Sequence, residues 1–413
     1  MIRFSANRIW QNWQNVDANL SAKEETLHKG FREYPPAFPE CLPTKEDLAK
    51  MQAWSDNLKS QNIETLIICG IGGSALGAKA ITSLVDPFTP KLFFWEGPHP
   101  QLLQYLGRLA EQRKTALLFI SKSGTTLETR TNYALYRQFF PSAPLYYVTS
   151  EPEKIEDLVV TKEHVFLIPK PLGGRYSVIS PVGLLPAYFL GVDVDSLVAG
   201  FKAGLEAWDI SIPLAQNGAK IVANEYYELF QANFTGAVFW IYAHDLKGWG
   251  AWLIQLWAES LGKKTEVHAT PILNLGPEDQ HSVLQYYMQG PNHFIHTFIH
   301  TNSYGRHDTV VPAEYAVESA NQSLWKVLHS QMQSIEIALT EQNRPVAEFV
   351  LPELTIYQLG KWFAFWMYVV TYLGYLWELN PFDQPGVESG KIYCKKLLSG
   401  VSLKLPTTEL LEF

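Results

Sequence analysis

The sequence predicts an α/β protein with two domains of similar construction, each a mainly parallel sheet flanked by helices. Runs of continuous apolar residues, as expected for strands buried on both faces, alternate with helix-like segments. This alternation occurs in two rounds along the chain. The length of 413 residues exceeds that of one ordinary domain, and a hydrophobic fraction of 47% is enough to form large cores.

The first round follows an N-terminal arm, residues 1–45, which is expected to be irregular or partly helical. Its segment Phe31–Pro43 contains four prolines and must be extended or turned. The next segment, KEDLAKMQAWSDNLKS, has the spacing of an amphipathic helix. Strands are then expected at Thr65–Gly70, Lys91–Gly97 and Thr115–Ile120, with a fourth in PLYYVTS and helices between them.

The second round contains a predicted strand at Gly236–His244 between two helical segments, AKIVANEYYELFQ and LKGWGAWLIQLWAESLGKK. A strand in TPILNL and another in NHFIHTFIHT follow. The predicted organisation is therefore an arm at 1–45, one α/β domain at 46–205, a second at 206–380, and a loop with a tail at 381–413.

One segment, Trp362–Trp377, resembles a membrane span because Thr371 is its only clearly polar residue. A span needs about 20 residues, and membrane aromatics collect at the two interfaces rather than in the middle. We therefore expect a helix buried on all sides in a protein core, and no membrane association.

Composition excludes several classes of protein. Acidic side chains outnumber basic ones by 41 to 33, which argues against a nucleic-acid binder. Three widely spaced cysteines fit neither a disulfide framework nor a thiolate metal site, and they indicate a reducing, cytoplasmic environment. The first residues lack the apolar segment of a signal peptide.

Two turns between a strand and a helix have the composition of ligand-binding loops. Gly70–Ser74 is rich in glycine, which lets a backbone approach a ligand closely, although a tight turn is the alternative explanation. Ser121–Thr126 offers four hydroxyls at the start of a helix. Such a turn can hold a phosphate through hydroxyls and free N–H groups; an ordinary helix N-cap is the alternative, but it needs only one hydroxyl.

Four further residues have candidate chemical roles. Arg175, on the glycine turn GGRYS, could contact an anion, or it could form a surface salt bridge. Glu259 ends an apolar helix, so it is expected to be a partly desolvated carboxylate suited to proton transfer. His281, in the loop motif QHS, and Lys391, after the turn at Pro385–Gly386, could each exchange a proton or be ordinary exposed residues.

Taken together, the ordered motifs IGGSALG, SKSGTTLET, GGRYS, ESLGK, QHS and NPFDQPGVESGK resemble the phosphoglucose isomerase family. They extend from about Cys69 to Lys391, and GGRYS and FDQPGVExxK are the most specific. The resemblance implies two sugar-isomerase (SIS) domains in a homodimer with a shared active site. It also implies interconversion of glucose 6-phosphate and fructose 6-phosphate, in glycolysis and gluconeogenesis, without cofactor or metal.

The resemblance also implies roles for individual residues. Glu259 matches the family's base, His281 its ring-opening histidine (supplied by the partner subunit), Lys391 its lysine, and Arg175 the arginine near C1 and C2. The positions expected to bind or surround the sugar phosphate are Gly73, Ser74, Ser121, Lys122, Ser123, Thr125, Thr126, Glu128, Gln255 and Gln384. Gln255 falls one helical turn before Glu259, on the same face.

Two alternatives to this function remain open at the level of sequence: a bifunctional phosphoglucose/phosphomannose isomerase, and a sugar-phosphate-binding SIS protein without catalysis. The presence of Glu259, His281, Lys391 and Arg175 together favours an enzyme. One departure from the family pattern is Leu261, which stands where Asn or Glu is usual, and its effect on the polarity of the pocket is left open by the sequence.

Overall fold

The computed structural model describes residues 2–3, 17–85, 91–302, 308–314 and 318–403. Its first elements are a two-residue strand β1 (Ile2–Arg3) and helices α1 (Asp17–Glu33) and α2 (Lys45–Ser60). The arm is thus largely helical from Asp17, and the proline-rich stretch forms turns after Glu33, as expected. Helix α2 has the predicted bounds because Thr44 and Asp47 form a reciprocal capping box.

The first sheet consists of five parallel strands: β2 (Thr65–Cys69), β3 (Leu92–Phe94), β4 (Thr115–Ile120), β5 (Leu145–Thr149) and β6 (Val165–Leu167). Their spatial order is β3–β2–β4–β5–β6. Every residue of β2, β4 and β5 is buried, which explains their continuous apolar sequences. The helices that connect or follow these strands are α3 (Leu76–Thr82), α4 (Pro100–Gln112), α5 (Leu127–Phe139), α6 (Pro181–Leu190) and α7 (Val194–Ala207).

The second sheet has four parallel strands, β7 (Gly236–Ile241), β8 (Thr270–Leu275), β9 (Phe294–Thr301) and β10 (Val346–Leu351), with β1 antiparallel at one edge. Their order is β1–β10–β9–β7–β8. The associated helices are α8 (Gly218–Gln231), α9 (Lys247–Leu261), α10 (Leu284–Gln289), α11 (Leu324–Glu341), α12 (Ile356–Leu376) and α13 (Glu388–Leu398). The fold class is therefore as predicted, whereas the domain boundaries stay predictions.

Helix α12 contains the segment that resembles a membrane span. All of its residues from Phe363 to Leu376 are buried. They belong to a large apolar core shared with α7, α8 and α9. Among the described helices, none is both long and apolar enough to cross a bilayer. The expected buried helix is confirmed.

Some strand predictions were incomplete. The strands expected at Lys91–Gly97 and Gly236–His244 are shorter and end at Phe94 and Ile241. In each case only the next residue still bonds the neighbouring strand, Trp95 to Ile68 and Tyr242 to Ile299. Strands β6 and β10 were not predicted. In β10, Glu348 interrupts the apolar run. Its side chain accepts a hydrogen bond of 2.8 Å from His300 on the neighbouring strand.

Candidate active site

The two turns with the composition of ligand-binding loops lie side by side at the carboxyl edge of the first sheet. Gly70–Ser74 follows β2 and Ser121–Thr126 follows the neighbouring strand β4. The strand order reverses between β2 and β4, so this is the topological switch point at which open α/β sheets bind ligands. A side chain at Gly70 would place its Cβ 3.1 Å from the Ile120 carbonyl oxygen, which shows how closely the turns approach.

The hydroxyls of the Ser121–Thr126 turn are grouped in pairs. Buried Ser121 shares a hydrogen bond of 2.8 Å with Thr126, and Thr125 donates to the Ser123 hydroxyl at 3.0 Å. The Thr126 side chain makes no capping hydrogen bond to α5, so the alternative of an ordinary N-cap is not what the turn forms. The N-cap Thr126 therefore does not satisfy the N-terminal N–H groups of this 13-residue helix, and Ser123 near them is exposed. Such free N–H groups favour an anion at a helix N-terminus.

Lys122 lies within this turn, and Glu128 follows it on α5. Burial lowers the pKa of the half-buried Lys122, partly offset by nearby Glu151. The Lys122 carbonyl accepts hydrogen bonds from the Ser150 amide and the Thr149 hydroxyl, both at 3.0 Å, which fixes the backbone of the turn. Glu128 is half-buried in the first turn of α5, beside the hydroxyls.

The glycine-rich turn after β2 is pressed against the turn that carries Arg175. A Cβ at Gly73 would lie only 2.4 Å from the Gly174 carbonyl carbon, so only glycine fits there. Gly72 has a φ of 58°, and the space beside it is occupied by the Gln255 amide. Ser74 closes the same short 3₁₀ turn and is half-buried. Close backbone packing therefore places Gly73 and Ser74 next to Arg175 and Gln255.

Arg175 is the centre of the polar network. Its side chain is buried, and it donates from Nη1 to Glu259 Oε2 at 3.2 Å and to Gln384 Oε1 at 2.8 Å. Its Nη2 donates to the carbonyls of Pro381 and Asp383 at 2.6 and 2.9 Å. The alternative of a surface salt bridge is thus wrong, because these partners hold the guanidinium in one fixed orientation.

Glu259 is held at both carboxylate oxygens. Oε2 accepts from Arg175, and Oε1 accepts from Gln255 Nε2 at 2.9 Å, one helical turn earlier on α9. The side chain is 29% exposed, so it is partly desolvated as expected but still accessible. An oriented carboxylate beside a fixed cation can take a proton from a carbon acid while the cation stabilises the resulting oxyanion.

Two residues of the network were not assigned roles from sequence. Ser260 is fully buried and accepts the Arg175 Nε hydrogen bond at 2.7 Å. Lys263 binds Asp383, with Nζ 2.5 Å from Oδ1, and so ties the end of α9 to the loop that carries Gln384. Polar residues at the end of an otherwise apolar helix, within ESLGK, were the signal that could have identified both.

The Leu261 side chain does not face the polar network. Leu261 is 1% exposed and belongs to the apolar core, near Gly374 of α12. The side chains that face the polar network at this end of α9 are Glu259 and Ser260.

His281 and Lys391 lie apart from this network. His281 is exposed in a 3₁₀ turn, Glu278–His281, and Lys391 is exposed on α13, paired with Glu388 at 2.7 Å. Within the described part of the chain, neither side chain is hydrogen-bonded to Arg175 or Glu259. One chain therefore assembles the two turns, Arg175, Gln255, Glu259 and Gln384, without these two residues.

The described ranges contain no group of three or more His, Cys, Asp or Glu side chains positioned to hold a metal ion. In particular, His296 and His300, four residues apart on β9, have separate partners. His296 Nδ1 accepts from Trp240 at 3.3 Å, and His300 pairs with Glu348.

The fold and site define a class: the chain has the two-sheet α/β fold of phosphosugar isomerases. A solved structure of a hypothetical protein from Thermus thermophilus is similar over 97% of this chain and 100% of its own, with a TM-score of 0.85 and 28% identity. Tagatose-6-phosphate ketose/aldose isomerase from Escherichia coli shares the fold alone, with a TM-score of 0.53 and 12% identity over 86% of this chain and 95% of its own.

Within that class, the chain belongs to the phosphoglucose isomerase family, whose sequence pattern matches residues 44–406. Glucose-6-phosphate isomerase from Rubrobacter xylanophilus is 33% identical over 92% of this chain and 95% of its own. A probable glucose-6-phosphate isomerase from Methanococcus maripaludis is 32% identical over 83% and 81%, respectively. The resemblance found from the motifs is confirmed.

Proposed function

We propose that this protein is a glucose-6-phosphate isomerase that interconverts glucose 6-phosphate and fructose 6-phosphate through ring opening and a cis-enediol, as a step of glycolysis and gluconeogenesis. The observation that carries the proposal is the placement of Glu259 between Arg175 and Gln255, next to the glycine-rich turn at the switch point of the first sheet. Family membership supports the same reaction.

The phosphate of the substrate binds the Ser121–Thr126 turn in this proposal. Ser121, Ser123, Thr125 and Thr126 supply hydroxyls, the start of α5 supplies N–H groups, and Lys122 supplies positive charge nearby. The phosphate is remote from the reacting carbons. Its binding therefore positions C1 and C2, beside Gly73 and Ser74, rather than taking part in bond making.

Catalysis begins with opening of the pyranose. His281 and Lys391 exchange a proton between the ring oxygen and the C1 hydroxyl, and the carbonyl that forms makes the C2 hydrogen acidic. Glu259 removes this proton from C2 and delivers a proton to C1. Because its side chain is 29% exposed, the proton held by Glu259 can exchange with solvent while the enediol persists. Proton transfer by one placed carboxylate accelerates such a step by about 10²–10⁴-fold.

Arg175 stabilises the negative charge that develops on the enediolate oxygens, an effect worth roughly 3–4 kcal/mol for one well-placed donor. All five N–H groups of Arg175 are bonded in the structure, so a donor to the enediolate must come from Nη1, which now binds Glu259 and Gln384. The bonds from Nε and Nη2 to Ser260 and to the loop carbonyls keep the plane of the guanidinium fixed while Nη1 changes partner. Gln384, bonded to the same guanidinium, and Glu128 shape the pocket around the sugar.

A homodimer with a shared active site accounts for the position of His281, which in this proposal is contributed by the partner subunit. Exposed apolar side chains on α13 support the existence of a partner: Ile392, Tyr393, Leu397 and Leu398 are each more than half exposed, at 54%, 54%, 57% and 70%. A cytoplasmic location is also proposed, in keeping with the free cysteines Cys41, Cys69 and Cys394.

The direct test is turnover of fructose 6-phosphate by the purified protein, followed through a dehydrogenase that oxidises glucose 6-phosphate. Steady turnover supports the proposal. Binding of fructose 6-phosphate without turnover would favour the non-catalytic alternative. Mannose 6-phosphate, tested as a substrate in the same way, separates the dedicated enzyme from the bifunctional one.

The shared site is tested by mixing two inactive variants, His281→Ala and Glu259→Gln, under conditions that exchange subunits. A mixed dimer has one site with an intact Glu259 from one chain and an intact His281 from the other. Random exchange should therefore restore about a quarter of the wild-type sites, because half of the dimers are mixed and one of their two sites is complete. No recovery, with exchange verified, would place both residues in one chain.

A further inference from the structure

The second sheet has a switch point of its own, but the residues described there do not form an open cleft. The strand order reverses between β7 and β9, as it does between β2 and β4 in the first sheet. The crevice at the carboxyl edge of β7 and β9 is instead filled by side chains, and it retains a volume of only about 10 Å³, roughly one water molecule. The residues that line it are Tyr242, His300, Thr301, Trp325, Leu328, His329 and Met332.

Tyr242, which directly follows β7, joins this filled crevice to the segment that carries His281. Its side chain is 2% exposed, and its hydroxyl accepts a hydrogen bond from Gln280 Nε2. The ring also packs flush against Gly276, where a Cβ would lie 2.4 Å from it. The Gly276 amide donates to the Ile241 carbonyl at 2.9 Å. Tyr242 and the end of β7 thus hold both ends of segment 276–280.

The remaining contacts fix the backbone on either side of His281. Asp279 accepts from the Leu275 amide at 2.7 Å and from the Ser282 hydroxyl at 2.8 Å. Gln280 Nε2 also donates to the Gln331 carbonyl of α11 at 3.3 Å. The residues before and after His281 are therefore bonded, while the His281 side chain between Gln280 and Ser282 is exposed.

From this arrangement we propose that Tyr242 and Gln280 are positioning residues for ring opening. Tyr242 is fixed in the crevice of the second sheet, and its hydrogen bond to Gln280 holds the adjacent His281 at one place on the surface. The inference rests on the proposed function of His281. A side chain that must act in a site completed by another subunit cannot be oriented by that site's own network, so it needs an anchor within its own chain. The Tyr242–Gln280 hydrogen bond is buried on the Tyr242 side and serves as that anchor.

The test separates ring opening from proton transfer between carbons. Glu259→Gln should block isomerisation but still interconvert the α and β anomers of glucose 6-phosphate, which requires ring opening alone. In that background, Gln280→Ala is expected to slow anomer exchange, measured by NMR magnetisation transfer, by roughly ten- to a hundredfold. The affinity for 5-phosphoarabinonate, an acyclic mimic of the enediolate, should stay within about twofold because it needs no ring opening.

Two comparisons show whether Gln280 acts through His281. Gln280→Ala should have no further effect on anomer exchange when His281→Ala is already present, and Tyr242→Phe combined with Gln280→Ala should be no worse than the stronger single change. The matched control is Gln285→Ala, an exposed glutamine of α10 whose amide donates to Gln289. It should leave anomer exchange unchanged.

Unchanged anomer exchange in Gln280→Ala would overturn the inference. A parallel loss of anomer exchange and of 5-phosphoarabinonate affinity would overturn it too, since that pattern reports general disruption. Absence of catalysed exchange in Glu259→Gln alone would also remove the role of His281. These results leave the isomerase activity itself untouched, because that part of the proposed function fails only if the wild-type protein does not turn over fructose 6-phosphate.

Discussion

At the scale of single residues, the site depends on how completely Arg175 is bonded. Its guanidinium contacts Glu259, Gln384, Ser260 and two loop carbonyls while remaining buried. A buried charge is stable only when it is paired and hydrogen-bonded, and this one is both. One of these contacts orients the Glu259 carboxylate. The interactions that stabilise the buried guanidinium therefore also place the proposed base.

The proposed role of Glu259 as the base leads to a first prediction. Glu259→Gln keeps the size of the side chain but cannot accept a proton, so kcat should fall by about 10²–10⁴-fold while sugar-phosphate affinity changes little. The dehydrogenase-coupled assay measures kcat, and calorimetry measures affinity. The control is Glu163→Gln, because Glu163 is an exposed glutamate outside the turns and helices that form the site. Near-normal turnover of Glu259→Gln would show that another group is the base.

The Ser121–Thr126 turn leads to a second prediction. Ser123→Ala combined with Thr126→Ala removes hydroxyls that face the proposed phosphate, and hydrogen bonds to a charged group contribute about 1.5–3 kcal/mol each. Two such bonds sum to about 3–6 kcal/mol, so KM should rise by roughly a hundredfold or more, with a smaller fall in kcat. Steady-state kinetics measure both, with the exposed Ser142→Ala as the control. If KM stayed at the wild-type value, the phosphate would bind elsewhere.

At the scale of elements, the sequence predicted the bounds of a helix or strand correctly where those bounds depend on nearby residues. The capping box at Thr44 and Asp47 sets the start of α2, and the fully buried β4 occupies its predicted range Thr115–Ile120. Strand β10 was missed because Glu348 breaks its apolar pattern, and only the partner strand β9 shows that His300 compensates for it. A strand whose polar residue is paired with a residue of another strand is hard to recognise from its own sequence, because the partner is not local.

The contact between two turns leads to a third prediction. Gly73→Ala would place a Cβ 2.4 Å from the Gly174 carbonyl carbon, so the two backbones must move apart. We expect a loss of roughly 1–3 kcal/mol in stability and a fall in kcat, because Arg175 follows Gly174. Thermal unfolding and kinetics measure these effects. Gly390→Ala, with no atom within 4 Å of its Cβ, should not lower the melting temperature. Equal melting temperatures for both variants would contradict the prediction.

At the scale of the whole molecule, the motifs identified the family, but they could not show which of them meet. Arg175 lies 84 residues from Glu259 and 209 from Gln384 along the chain, and only the packing of α9 against the first domain's turns joins them. The assignment of Gly73, Arg175, Gln255 and Glu259 to one site was therefore available only through resemblance. The structure supplies its physical basis in close glycine contacts and buried hydrogen bonds.

The buried carboxyl of Glu336 in α11 leads to a prediction on pH. Burial, and secondarily the nearby Glu348, raise its pKa from 4.5 to about 8, and one of its oxygens is buried without a hydrogen bond. Between these values the folded protein holds a proton that the unfolded chain releases. Its contribution to stability is therefore present below the unfolded pKa and is lost as pH rises through about 8.

Glu336→Gln removes this dependence. The free energy of unfolding of Glu336→Gln, relative to wild type, should increase by roughly 1–3 kcal/mol from pH 5 to pH 8. His296, whose pKa burial lowers to about 3, gives the opposite slope at lower pH in both proteins and cancels in the difference. Urea unfolding at the two pH values measures it, with the exposed Glu341→Gln as control. A difference that does not change with pH would mean that Glu336 is ionised in the folded state.

The central claim, proton transfer between neighbouring carbons by Glu259, is tested most directly by incubating the protein with fructose 6-phosphate in heavy water. The account predicts glucose 6-phosphate that carries deuterium at C2, formed by the wild-type protein and not by Glu259→Gln. Product free of solvent deuterium would indicate direct hydride transfer, and equal labelling by the variant would indicate a different base. Either result would contradict the mechanism.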